Sequence, residues 1–367
     1  MPQSEWHIKC ALEVHSDGKE DLTLQIGDTR RAATLHIEHL SRTLLADLSP
    51  RALDLIEVAA FVYAADSALP RGPTSDPGFG WRWRRLLNFQ IPVRDHSFWT
   101  QDTVRRPIAN VLSFLSDDDY HFEFTPNQTD EQPRYLGFAP DTGFSADEVL
   151  MFSGGLDSFA GALEEMISRG RKVALVSHWS ATKMEKAQRD LINAMSAHVS
   201  QGSLLHVPVR LQMKDGDMRE STHRSRSFFF AVVGMFVARM FGLSRTCFYE
   251  NGVVSLNLTP SGQAIGARAT RSTHPKALTG LRDLFSRVFD GDMRVDNPFI
   301  WKTKAEVIEV IRANGAAELI PLTRSCAHVR EMTAAHPHCG RCSQCVDRRI
   351  AMLSLGLGDV DPIVDYA

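Results

Sequence analysis

The hexapeptide Ser153-Gly154-Gly155-Leu156-Asp157-Ser158 carries the residue types of an anion nest. Two glycines let the backbone turn tightly and aim consecutive N–H groups inward, and the hydroxyls of Ser153 and Ser158 can donate to phosphate oxygens. The apolar run EVLMF comes directly before it and FAGALEEM directly after it, so the spacing predicts strand, loop and helix, with the helix N-terminus facing the anion. Asp157 is out of place beside phosphates unless a cation stands between them, and a Mg2+ bridge is its natural role. The loop has no lysine, so it is not the Walker type that holds a β/γ-phosphate for γ-transfer. Gly-Gly with Ser and Asp is also ordinary turn chemistry, but the strand–loop–helix context favours phosphate.

A second cluster lies near the C-terminal end. Four of the six cysteines, Cys326, Cys339, Cys342 and Cys345, are spaced C-x12-C-x2-C-x2-C. Four thiolates at such short intervals suit one tetrahedral Zn2+ in a closed structural site. His328, His336 and His338 could each replace a thiolate. Cys10 and Cys247 sit in apolar, strand-like runs and read as core.

Both motifs need elements to position them. From His7 to Phe124 strands and helices mix: HIKCALEV and DLTLQIG form a hairpin, and Ser49-Pro50 starts a helix. LLNFQIPV and YHFEF read as strands, and HSFWTQDTVRRPIANVLSFLS as a helix interrupted at Pro107. The polar, Pro-rich stretch 126–144 marks a boundary. After it, EVLMF, KVALVSHW, SLLHVPV and RTCFYEN alternate with the helical stretches FAGALEEMISR, KAQRDLINAMSAHV and RSFFFAVVGMFVARMFG. That alternation predicts an α/β fold with a doubly wound, mostly parallel sheet and a nucleotide at the carboxyl ends of its strands. The expected domains are an N-terminal α+β accessory domain (1–145), an ATP-binding domain (146–322) and a zinc-binding segment (323–367).

Composition narrows the class. The chain has 367 residues, is 43% hydrophobic and 23% charged, and carries a formal charge of −3. These values exclude disordered, collagen-like and coiled-coil classes, and give no global basic field for nucleic acid. No apolar run reaches the ~20 residues of a spanning helix, and MPQSEWHIKC lacks the layout of a signal peptide. With its cysteines clustered as for metal binding, the chain is expected to be cytoplasmic.

The loop resembles that of the pyrophosphatase-loop ATPases, in which SGGxDS binds the pyrophosphate of ATP; the resemblance implies a Rossmann-like domain that splits ATP between its α- and β-phosphates. Taken with Thr323, Ser325-Cys326, His338-Cys339-Gly340-x-Cys342-x-x-Cys345 and Arg348, the chain from about Glu148 onward resembles the 7-cyano-7-deazaguanine synthase (QueC-like) family. Arg226-Ser-Phe-Phe-Phe and Thr303-Lys304-Ala305-Glu306 look like two further elements of that family. The resemblance implies adenylation of a 7-carboxy-7-deazaguanine-type carboxylate with ATP and Mg2+, followed by attack of a nitrogen. It implies Ser153 through Ser158 as the ATP loop, Ser153, Asp157, Arg226 and Lys304 as catalytic, and Cys326, Cys339, Cys342 and Cys345 as zinc ligands.

The chain departs from that family at His178-Trp179-Ser180, where Tyr-Gly-Gln is expected, and at Glu250-Asn251-Gly252-Val-Val-Ser255-Leu-Asn257, which replaces an Asp/Tyr-rich substrate segment. Minimal members also lack a domain like 1–145. That layout looks more like the QueC-like proteins of bacterial anti-phage operons, which implies an operon-encoded protein partner whose amine could replace ammonia, docked through residues 1–145. A homodimer is the other association considered.

Several residues support two readings. Glu250, Asn251 and Ser255 could read a base edge, or Asn-Gly could be only a turn. Arg268, Arg271 and His274 could grip a carboxylate or phosphate, or lie in a solvated loop. Arg224 and Arg226 precede an apolar helix, where a phosphate or an acidic side chain would offset the helix dipole. Lys304 could neutralise phosphate or solvate a helix start. The Phe228–Phe230 run and the Trp pair at 81 and 83 read as packing. Two alternative functions remain in view: a tRNA-modifying enzyme with the same ATP loop, and a non-catalytic nucleotide-binding scaffold.

Overall fold

The computed structural model describes residues 4–16, 20–40, 49–71, 84–127, 133–139, 143–179, 182–214, 220, 224–256, 271–328, 332–333 and 335–367. Arg268, Asn257, Ser180, Trp81 and Trp83 lie outside the described residues.

The chain begins with β1 (Ser4–Val14), β2 (Glu20–Ile26), β3 (Thr29–Leu40), α1 (Pro50–Ala68), β4 (Arg85–Val93), α2 (His96–Trp99), α3 (Asp102–Ser116), β5 (Asp119–Pro126) and β6 (Leu136–Phe138). Then come β7 (Glu148–Met151), α4 (Leu156–Leu163), β8 (Val173–His178), α5 (Thr182–Ser196), β9 (Leu204–Met213), α6 (Arg226–Met240) and β10 (Arg245–Cys247). Last are α7 (Gly252–Ser255), α8 (Pro275–Val288), β11 (Arg294–Asp296), α9 (Lys304–Ala313) and α10 (Ser343–Ser354). Helices alternate with strands, and the strand pairings are mostly parallel, so the fold is α/β. No helix among the described residues is long and apolar enough to cross a membrane.

Two compact units divide the chain. One comprises Met1–Asp141, Val209–Arg245 and Pro260–Val295; the other comprises Thr142–Pro208, Thr246–Thr259 and Asp296–Ala367. The cysteine-rich tail groups with the Ser153–Ser158 loop. Helices α6 and α8, inside the expected span 146–322, group instead with the N-terminal segment.

In the first unit, β1 and β2 form the expected antiparallel hairpin, β3 pairs with β2, and β4 and β5 add in parallel beside β1. Helix α1 starts with Pro50 at its first position, as read from sequence, but the Ser49 side chain makes no capping bond. The helix is buried on nearly every side, and Tyr63 stacks on Phe229 of α6 at 5.6 Å. Its acidic residues survive burial through ion pairs: Asp66 meets Arg71 and Arg85, and both arginines also meet Asp118. Burial alone would push the Asp66 carboxyl up, but the two guanidiniums and the Ser225 N–H hold it well below the usual carboxylate range.

The expected break at Pro107 is absent. The interruption falls earlier, at Thr100 and Gln101, and α3 runs through Pro107 to Ser116. Burial of Val104, Ile108, Val111, Leu112 and Leu115 along one face offsets the ~3 kcal/mol that an internal proline costs.

In the second unit, β7 lies between β8 and β10, parallel to both. From β7 the chain proceeds to β8 and β9 on one side, and β10 then occupies the other side. The strand order therefore reverses beside β7, the place where open α/β sheets hold ligands at their carboxyl ends. Phe152, Phe159, Leu163, Leu175, Leu191, Tyr249, Phe299, Ile308 and Ile311 build the core around these strands. Helix α4 approaches Tyr249 so closely that a Cβ on Gly161 would stand 2.1 Å from the ring. Gly161→Ala is expected to destabilise this unit by at least ~1–3 kcal/mol, read as a lower denaturation midpoint in urea with an unchanged slope.

Candidate functional site

Ser153–Ser158 joins β7 to α4 at the carboxyl end of β7. Gly154 has φ +79°, a conformation that L side chains rarely adopt, and a Cβ there would stand 2.9 Å from Gln188 Cγ. Gly155 is the N-cap of α4 and makes no side-chain cap, and the first-turn N–H groups of Leu156, Asp157 and Ser158 lack intrahelical acceptors. The Ser153 and Ser158 hydroxyls lie 3.1 Å apart, and Ser158 Oγ also donates to the Gly155 carbonyl. From α5, Gln188 Nε2 donates to the Ser153 carbonyl at 2.9 Å, and the Arg324 N–H donates to the Gly154 carbonyl at 2.8 Å. The loop is thus held from outside through its carbonyls, and within it the Gly155 N–H donates to Ser153 Oγ at 3.3 Å.

Asp157 sits in a mixed cluster. Its Oδ2 accepts from Lys304 Nζ at 2.7 Å and from Asn251 Nδ2 at 3.0 Å. Its Oδ1 is shielded from solvent and has no hydrogen-bond partner among the described residues. Lys304 is the first residue of α9, where Thr303 and Glu306 form a capping box, so the T-K-x-E element is a helix start that fixes the lysine. The lysine side chain is only 4% exposed, so it is no solvated helix start. Asp157 offsets the unfavourable placement of a cation at a helix N-terminus.

Asn251 likewise has a structural explanation and a site contact. Its Oδ1 accepts from the Val253 and Val254 N–H groups, capping α7, which leaves its amide nitrogen aimed at Asp157. Ser255 Oγ donates to the Glu250 carbonyl and accepts from Asn297 Nδ2 at 2.8 Å, and the buried serine braces the turn. Glu250 is half-buried at the end of the same segment.

The other expected site residues lie in the first unit. Arg226 opens α6 and is exposed. Arg271 donates to the Phe114 carbonyl and pairs with Asp117 Oδ1 at 2.6 Å. His274 caps α8, its Nδ1 accepting from the Lys276 N–H, and its ring packs on Phe114. Arg271 and His274 thus have partners within their own unit.

Asp347 stands beside this cluster, and no sequence motif singled it out. It follows Cys345 by two residues on α10, and its Oδ2 lies 3.9 Å from Lys304 Nζ. Burial pushes its carboxyl up, Lys304 pulls it down and Asp157 pushes it up again, for a net rise. Gln188 was also missed; its role at the loop follows only from the packing of α5.

The four thiols of Cys326, Cys339, Cys342 and Cys345 lie within 4.8 Å of one another and form no disulfide. Cys339 Sγ and Cys345 Sγ are 3.9 Å apart, close to the edge of about 3.8 Å that a tetrahedron with Zn–S near 2.3 Å requires. Burial works against ionisation of Cys339, but the Arg341 and Cys342 N–H groups hold its thiol at about 6. The group therefore fits zinc through sulfur alone. His336 Nδ1 lies 3.0 Å from the Val364 carbonyl, and His338 is buried against the Tyr366 ring, pushed down to about 3 by burial and by Arg348.

The cysteine cluster connects to the loop through buried Arg348. Its guanidinium donates to Asp361, to Thr323 Oγ1 at 2.7 Å and to the Ile320 carbonyl, which fixes the backbone just before Arg324. No family model matches the chain, and no curated protein matches it.

Proposed function

We propose that this chain is an ATP-dependent ligase of the 7-cyano-7-deazaguanine synthase kind, whose second unit is a Rossmann-like pyrophosphatase-loop domain with zinc bound in its tail. The observation that carries this is the Ser153–Ser158 loop at the strand-order reversal beside β7, with Asp157 held by Lys304 and Asn251. The first-turn N–H groups and the two serine hydroxyls would take the β- and γ-phosphates. The orphaned Asp157 Oδ1 fits a Mg2+ ion, which when bound offsets phosphate charge.

The substrate is a deazaguanine-type carboxylate. Its oxygen attacks the α-phosphorus, the bond to the β-phosphate oxygen breaks, and pyrophosphate leaves. A nitrogen lone pair then attacks the acyl carbon, AMP departs with the C–O electron pair, and the nitrogen loses a proton to solvent to leave the amide. On the ammonia route a second ATP activates the amide oxygen, whose departure with AMP and loss of the two N–H protons give the nitrile. Lys304 is placed to follow the phosphate charge once it is released from Asp157. Glu250 and Asn251 stand on the same segment as candidates to contact the substrate; Arg226 remains a proposal by resemblance, and Arg268, Arg271 and His274 by residue type and spacing. The acceptor is ammonia, or the amine of an operon-encoded partner docked on residues 1–145 in the cytoplasm of a phage-infected bacterium.

Pyrophosphate release from Mg-ATP in the presence of 7-carboxy-7-deazaguanine and ammonia tests the proposal. Release that depends on the acid is expected, with an amide or nitrile product by mass for the ammonia route. Acid-dependent release without either product would point to the protein-amine route, read as a mass increase on a partner chain. Release indifferent to the acid would exclude this substrate class.

A further inference from the structure

We propose that Asp347 is a second carboxylate for the divalent cation at Asp157, so that the helix following the cysteine knuckle contributes directly to the phosphate site. The proposal rests on the ATP-binding function above.

Two carboxylates and one ammonium meet here. Lys304 Nζ is hydrogen-bonded to Asp157 Oδ2 at 2.7 Å, whereas Asp347 Oδ2 lies 3.9 Å away, too far for an N–H···O bond. Asp157 Oδ1 and Asp347 Oδ2 are both shielded from solvent, and neither has a hydrogen-bond partner among the described residues. Lys304 hydrogen-bonds only one of the carboxylate oxygens here, which leaves the oxygen set incomplete. A cation completes it. The vacant donors are carboxylate oxygens without sulfur or imidazole, the set that selects Mg2+ or Mn2+ over zinc. Magnesium sites commonly use one or two carboxylates, with phosphate oxygens and waters filling the remaining positions.

The placement of Asp347 is fixed from both sides. Two residues before it, Cys345 is buried in the thiolate group, and one residue after it Arg348 is anchored to Asp361 and Thr323. An aspartate serving only to hold Lys304 would be in hydrogen-bond contact with it, and Asp347 is not.

The test uses the full chain, Mn2+ as a paramagnetic probe and α,β-methylene-ATP, with zinc content measured on every preparation. Asp347→Asn is expected to weaken Mn2+ binding in the ternary complex about tenfold or more, with zinc content and cation-free nucleotide binding unchanged. Asp347→Glu, which keeps the carboxylate, should recover part of that affinity. Two results would overturn the proposal while leaving the ATP function standing: Mn2+ bound by Asp347→Asn as tightly as by wild type when Asp157→Asn has lost it, or a Glu variant no better than the Asn variant. A wild-type chain that takes up no Mn2+ with the nucleotide analogue would overturn both.

Discussion

Asp157→Asn should lower acid-dependent pyrophosphate release on the order of 10²–10³-fold, the scale of losing one preorganised charged group at a transition state. The side chain is 12% exposed and lies over Lys304 in the first turn of α4. An asparagine keeps the shape and one oxygen, so the Asn251 contact can persist in a neutral form. It removes the charge that holds Lys304 and the charge that a cation would meet. Breaking a buried pair outright costs ~3–5 kcal/mol, but Asp347 stands close enough to take over the lysine, so the loss of stability should be smaller. The pattern to look for is a large fall in turnover with a melting temperature only a few degrees lower. Equal release by wild type and variant would remove Asp157 from the chemistry and with it the cation bridge. A variant that still binds ATP but no longer releases pyrophosphate would separate an enzyme from a nucleotide-binding scaffold.

Metal removal has the largest expected effect on stability. The chain as purified should contain about one zinc, and Cys339→Ser or a strong chelator should release it. Binding at four thiolates contributes on the order of 10 kcal/mol of folding free energy at neutral pH, more than the apolar packing of so short a tail can replace. Loss of zinc should first appear as rapid hydrogen exchange over residues 323–367. It should then reach the Ser153–Ser158 loop, because α10 positions Arg348, Arg348 holds Thr323, and Arg324 donates to the Gly154 carbonyl. Nucleotide affinity should therefore fall together with zinc content. A chelated chain with unchanged melting and unchanged exchange in the tail would contradict the zinc assignment.

The local chemistry was legible in the linear chain where it depends on neighbours in sequence. SGGLDS after an apolar run and before a helical one specified a strand, a nest and a helix N-terminus, because glycine conformation and helix-end geometry are local. The cysteine spacing specified a sulfur cluster for the same reason, since a knuckle of seven residues leaves the thiols few ways to point. Only the folded chain showed four sulfurs gathered as one group, with His336 against the Val364 carbonyl and His338 against Tyr366. The break assigned to Pro107 failed because a local penalty was outweighed by burial along the rest of α3, which is a tertiary quantity.

What required the fold was every contact made across long stretches of sequence. Lys304, Asn251 and Asp157 are separated by 53 and 94 residues yet share one carboxylate oxygen. No periodicity reports that meeting, because it depends on which strand β7 has for its neighbours. Arg271 and His274 suited an anion by type and spacing; the packing of α8 against α3 instead gave them Asp117 and Phe114 as partners. Asp347 carried no signal at all, being one more acidic residue on a helix until that helix was anchored by thiolates on one side and Arg348 on the other. The sequence by itself determined the α/β character, the glycine-rich strand–loop–helix turn and the four-sulfur cluster, all set by backbone preference and short-range geometry. The tertiary structure alone decided which charges face one another, because charge pairing over long separations follows from packing and not from pattern.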